Sequence, residues 1–140
     1  MRTMKNVAGL LLCFVCAPAL ALGLEPGEWQ FDTITTSPGN PKPQTYAGQR
    51  CVTKEEAANA EKWAGQKLAE AGCRLVTKNS SSNSVTWDVD CPKTGWRGTS
   101  VARIGRGTME SEMHMTGEMQ GRKFEMTAKT SGKRLGPCKT

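Results

Sequence analysis

The sequence predicts a mainly β (α+β) fold: a curved antiparallel meander, or partly closed β-barrel, of about seven strands with one helix and two disulfides. Three observations predict it. Apolar and polar residues alternate with period two through most of the chain after residue 26, the pattern of half-buried strands. One segment, Thr53–Gly72, switches to spacings of three and four, the pattern of a helix. Four cysteines, an even number, remain after an N-terminal export signal, which implies two disulfides in an oxidising compartment.

The signal comes first. Arg2 and Lys5 form a basic n-region, "VAGLLLCFV" an apolar run, and Ala19 and Ala21 an A-x-A site, the grammar of a cleaved secretory peptide over residues 1–21. The uncharged run from Val7 to Leu24 also approaches the length of a spanning helix, but Pro18 and the A-x-A site favour cleavage and no membrane span thereafter. Cys13 follows Leu12 and Cys16 follows Val15, so neither has the small preceding residue of a lipidation site. Removal leaves 22–140, one domain of 119 residues with 17 basic and 13 acidic side chains. That excess is mild and scattered, which argues against nucleic acid and fits a monomer that is periplasmic or secreted.

"GEWQFDTIT" alternates with Trp29, Phe31, Thr33 and Thr35 on one face and Glu28, Gln30 and Asp32 on the other. "SPGNPKP" has loop composition, and Gln44–Val52 is a second strand. The helix, 54–71, opens on a capping box, Thr53 with Glu56, stapled by Val52 and Ala57. Its apolar stripe is thin: Ala57, Ala60, Ala64, Leu68 and Ala71. Gly72 stops it. "CRLVTKNSSSNSVTWDVDC" is a hairpin, and folding it about Ser82 sets Cys73 opposite Cys91, within disulfide reach. Cys51 and Cys138 then form the second pair. "GWRGTSVARIG", the methionine-rich "TMESEMHMTGEM" and "RKFEMTAKTSGKRLG" complete five strands after the helix, ended by Pro137.

The methionine strand tests whether the chain carries metal chemistry. Thioethers suit Cu(I), and Met109, Met113, Met115 and Met126 are the alternative metal set. By strand parity His114 points away from the methionines. A hairpin centred between Met119 and Gln120 pairs Met113 with Met126, Met115 with Phe124, His114 with Glu125 and Glu110 with Lys129, which satisfies both faces. Methionine is also an adaptable filler of cores and apolar sites, and that is the preferred reading.

No catalytic set is legible. The mature chain has one histidine, no cysteine left over after pairing, and no P-loop, dinucleotide fingerprint or zinc-protease motif. Asp88 and Asp90 fit the wet face of a hairpin. The four tryptophans, Trp29, Trp63, Trp87 and Trp96, are read as core anchors, with stacking on a sugar or lipid as the alternative. No cofactor is expected.

In order, "LEPGEWQFDT", "RCVTKEEAA", "C…VTWDVDC" and "SGKRLGPC" resemble the bacterial exported family called domain of unknown function 3617 over nearly all of residues 22–138. The resemblance implies a small periplasmic or secreted domain with paired cysteines, no established activity and no catalytic residues. The chain differs from that pattern in a longer helical segment. The resulting expectation is a non-enzymatic protein that binds a small apolar ligand, lipid, peptide or another envelope protein through an inward face of Trp29, Phe31, Trp87, Met113, Met115, Phe124 and Met126, with Val89 in the same core.

Overall fold

The computed structural model describes residues 23–139. The signal sequence expected over 1–21, with Cys13 and Cys16, lies outside the described residues, as do Leu22 and Thr140. The chain runs β1 (Gly27–Ser37), β2 (Asn40–Val52), α1 (Lys54–Ala58), α2 (Ala60–Glu70), β3 (Arg74–Ser80), β4 (Ser84–Cys91), β5 (Trp96–Gly105), β6 (Thr108–Met119) and β7 (Arg122–Gly136). All seven strands form one antiparallel sheet in the order β2-β1-β7-β6-β5-β4-β3. The last five make a meander, and β7 returns to pair with β1.

The sheet is open, not a partly closed barrel: β2 and β3 are its two edges. The helical connection explains why. It joins those same two edges, and its 54–70 span is about 25 Å long at 1.5 Å per residue. Six interstrand steps of about 4.8 Å give a comparable sheet width. The helices therefore cross the inner face from edge to edge and fill the space that strand pairing would otherwise close.

The expected single helix is two. Thr53 caps α1 through the predicted box: its hydroxyl accepts from the Glu56 N–H, and the Glu56 carboxylate accepts from the Thr53 N–H. The helix then breaks at Asn59, whose side-chain amide donates to the Glu55 carbonyl and competes with the backbone ladder. The proline-rich stretch is also more ordered than its composition predicts. Only Pro38 and Gly39 turn, and Pro41 and Pro43 sit in β2, where an edge strand tolerates a missing donor and resists pairing with other chains.

Inner and outer faces alternate along β1, β4, β5 and β6, whereas β3 is interrupted by a bulge between Thr77 and Asn79 and β2 is exposed on both faces up to Ala47. β4 is the clearest: Val85, Trp87, Val89 and Cys91 are all buried, and the residues between them are not. The inner face carries three connected apolar clusters. Trp29, Val52 and Ala57 form one, Val85, Trp87, Ala102 and Ile104 the second, and Val89, Cys91 and Met115 the third. Along the helices, Ala57 enters the first cluster, Ala60 packs on the second and Leu68 on the third. The helical pair thus lies as a diagonal strap, from the end of β2 to the start of β3.

Both ends of the strap are tied to the sheet. Cys51, just before it, is bonded to Cys138, and Cys73, just after it, to Cys91, the pairing the sequence predicts. Arg50 adds a third tie: its guanidinium meets Glu56 at 2.7 Å and lies 4.3 Å from the centre of the Trp63 ring. A partly exposed contact of this kind contributes about 0.5–1 kcal/mol.

Candidate functional site

The strap covers only part of the inner face. Its diagonal leaves open the corner formed by the hairpin tips, where β1 ends, β2 and β5 begin, β6 ends and β7 begins. The local sequence shapes this corner through one glycine. Gly117 stands on the inner face of β6 opposite Phe124 of β7. A Cβ there would lie 2.8 Å from the indole of Trp96. The missing side chain lets the Trp96 ring lie down on the strand, a close approach of the kind interior strand glycines permit.

Trp96, Phe124 and Met126 form the apolar part of a cleft of about 180 Å³. Thr35, Ser37, Asn40 and Gln44, from the β1–β2 hairpin, supply the polar part, and Glu125 closes the rim. A larger cleft of about 650 Å³ at the same end of the sheet shares Phe124 and Glu125 but is lined mainly by the outer-face residues Arg97, Thr116, Glu118 and Lys123. Neither cleft is lined by a residue of the strap.

The seven residues expected to line a pocket are divided by the structure. Trp29, Trp87 and Met115 are buried core. Phe31 is half-buried and stacks on Trp29 with ring centres 6.0 Å apart. Met113 is half-buried and packs against the Val89–Cys91–Met115 cluster. Phe124 and Met126 line the cleft. Trp96, read from the sequence as a core anchor, does pack against the Val89–Cys91–Met115 cluster, and, half-buried, it also forms the cleft's largest wall. The glycine at position 117, on the methionine-rich face of β6, is the sequence signal for it.

The hairpin register differs from the expected one by two residues. The turn is Gln120–Gly121, with φ of 53° and 74°, the two positive values of a type I′ loop. Glycine adopts the second without strain, and this moves the turn centre one residue onward. Met115 therefore opposes Met126, Met113 opposes Ala128, and Gly117 opposes Phe124. His114 opposes Thr127 and Glu110 opposes Ser131. A shift of two preserves parity, so every side chain keeps its face. His114 still reaches Glu125 diagonally at 3.5 Å, and its Nδ1 lies 3.2 Å from the Thr127 hydroxyl.

Of the alternative metal set, Met113, Met115 and Met126 meet in one cluster. Met109 packs instead against the other two, four residues along β6 and roughly 13 Å from Met113. Glu28, Cys51 and Cys138 also bring three potential ligand atoms within 4.8 Å of one another, but both sulfurs are in a disulfide and offer no thiolate. One buried donor stands out: the indole N–H of Trp87 has no partner among the described residues, whereas that of Trp29 donates to the Glu25 carbonyl at 2.9 Å. Among the described residues no helix is long and apolar enough to cross a membrane.

No curated protein and no solved structure matches the chain. A family model does, over residues 24–138, which take in the whole sheet, the strap and all four bonded cysteines; the chain belongs to the family described as "Protein of unknown function (DUF3617)".

Proposed function

We propose that this is an exported, non-enzymatic binding domain whose open corner takes a small ligand with one apolar surface and a hydrogen-bonding edge. The observation that carries the reading is the cleft itself: Trp96, Phe124 and Met126 face Thr35, Ser37, Asn40 and Gln44 outside the reach of the strap. Ligand sites combine an apolar lining with a few polar groups that orient the ligand. At about 180 Å³ the cleft suits one ring-sized group, since an apolar cavity of about 150 Å³ accepts benzene. The expected range of a small apolar ligand, lipid, peptide or envelope protein thus narrows to a small amphipathic ligand.

Export is supported by the two disulfides together with the signal grammar of residues 1–21. The non-catalytic reading is supported by what surrounds the cleft. The four cysteines of the described chain are bonded, and His114 is held by Thr127 and Glu125 on the outer face. Glu125 is the single titratable residue lining the cleft, and its carboxylate turns to His114 on the outer face, so the cleft has no nucleophile–base pair of the kind covalent catalysis requires.

The four indole N–H resonances make the test. Phenol, added to the oxidised domain, shifts the Trp96 resonance saturably and leaves that of Trp63, which packs against Arg50 on the strap, in place. An unmoved Trp96 resonance overturns the reading. A second reading, soft-metal binding, retains one observation in its favour, the shared cluster of Met113, Met115 and Met126. Anaerobic Cu(I) titration against a competing chelator tests it: uptake abolished by Met126→Leu but kept by Met109→Leu would establish a three-thioether site, and absence of uptake would remove it.

A further inference from the structure

The chemistry of the cleft points to one ligand class, and we propose that it binds a neutral sugar ring, as one unit of a longer saccharide. The inference rests on the cleft being a binding site and adds what it binds.

A pyranose has a nearly flat face of C–H groups and a perimeter of hydroxyls. The two halves of the cleft match those two surfaces. The exposed indole face of Trp96, its negative π-face available to C–H groups, supplies the platform, with Phe124 beside it. The opposite wall consists of Thr35, Ser37, Asn40 and Gln44. Each of these side chains both donates and accepts while carrying no charge, as each sugar hydroxyl does. The cations Arg97 and Lys123 belong to the larger cleft, so the small cleft has no group selective for phosphate or carboxylate. A lipid tail would leave its four polar side chains without partners, which is costly once they are dehydrated. A peptide strand would need a free sheet edge; β1, β5, β6 and β7 are paired on both sides here, and the one edge at the cleft, β2, carries Pro41 and Pro43, which lack backbone donors.

Two further features favour a chain of sugars over a single one. The small cleft has the volume of one ring and is open at the hairpin tips, where a chain could continue. On β2, two residues from Gln44 on the same face, Tyr46 is 73% exposed. It contributes little to the core, and its ring offers a second platform beyond the first.

The test is titration of the oxidised domain with chitotetraose, maltotetraose, N-acetylglucosamine and, as a non-saccharide probe, phenol, followed by the indole and aromatic ring resonances. The expected result is a saturable millimolar shift of Trp96 and Phe124 with at least one tetrasaccharide, and at least tenfold weaker binding of the corresponding single sugar. Trp96→Leu should abolish the response, Gln44→Ala should weaken it several-fold, and Tyr46→Ala should weaken tetrasaccharide but not monosaccharide binding. The backbone amide spectrum of each variant verifies its fold. Phenol shifting Trp96 while no saccharide does would overturn the sugar assignment and leave the cleft as a binding site. Neither shifting it would overturn both. Saccharide-induced shifts confined to Trp63 would place binding elsewhere and also overturn the assignment.

Discussion

The two ends of the inner face are built from the same parts and put to different use. At the covered end, Phe31 lies over Gly132, where a Cβ would come within 2.9 Å of its ring, and stacks on Trp29. At the open end, Trp96 lies over Gly117 at 2.8 Å, with Phe124 alongside. Each is an aromatic pair laid on a glycine. The difference is the third layer: Val52 and Ala57 seal Trp29 to zero exposure, whereas Trp96 stays half-buried and no helix residue lines the cleft it walls. A motif within a sheet does not decide whether it is core or site; the element crossing above it does.

The strap therefore defines the contrast, and cutting its ties should change the molecule most. Replacing Cys51 and Cys138 together by alanine opens a loop of sequence separation 87, and the chain-entropy model predicts a loss of about 4–5 kcal/mol. Replacing Cys73 and Cys91, with separation 18, should cost about 3 kcal/mol. Urea unfolding of each double variant measures both. A larger effect from the second pair would mean that the strap is held mainly at its β3 end, and the covered end would lose its special status.

Truncating one aromatic at each end probes the contrast directly. Trp29→Ala should cost about 3–5 kcal/mol, the usual range for a large aromatic removed from a packed core. Trp96→Ala, at a half-buried position, should cost about 1 kcal/mol. Equal losses in guanidinium unfolding would show the open corner to be core as well, and the cleft would lose its claim as a site. The glycines repeat the comparison with smaller stakes. Gly132→Ala pushes a methyl against a ring that is covered and against Met109, so overpacking of about 1–3 kcal/mol is expected. Gly117→Ala presses on a ring that can swing toward solvent, and a loss under about 1 kcal/mol is expected. Thermal unfolding of the pair distinguishes them, and a costlier Gly117→Ala would reverse the assignment of ends.

Much of this was legible in the residues. Period-two alternation placed Trp29, Trp87 and the methionines on one face, the Thr53–Glu56 box marked the helix start, and the symmetry about Ser82 paired Cys73 with Cys91. These are local signals, decided by chemistry within a few residues or across one turn. The helix break at Asn59, the open sheet and the status of Trp96 were not legible, because they depend on where the strap runs. Its path is set by contacts from Ala57, Ala60 and Leu68 to three separate clusters, and small residues announce no partner. The β6–β7 register shows the boundary between the two kinds of information. Parity identified each side chain's face, but the turn centre required recognising Gln120–Gly121 as the two positive-φ positions.

The smallest expected effect concerns the two sealed tryptophans, and it asks whether the covered end is uniformly satisfied. Trp29 is fully buried and its N–H is bonded to the Glu25 carbonyl; Trp87 is 8% exposed and its N–H has no partner among the described residues. Trp29→Phe removes a bonded donor, leaves the Glu25 carbonyl to find another, and shrinks a packed ring, so about 2 kcal/mol should be lost. Trp87→Phe shrinks the ring by the same amount but removes a donor whose burial without a partner itself costs about 1–3 kcal/mol. The two terms have opposite sign, and the variant should lie within about 1 kcal/mol of the parent in guanidinium unfolding. A loss as large as that of Trp29→Phe would mean that the Trp87 N–H is satisfied in solution, and the covered end would then be a core without an exception.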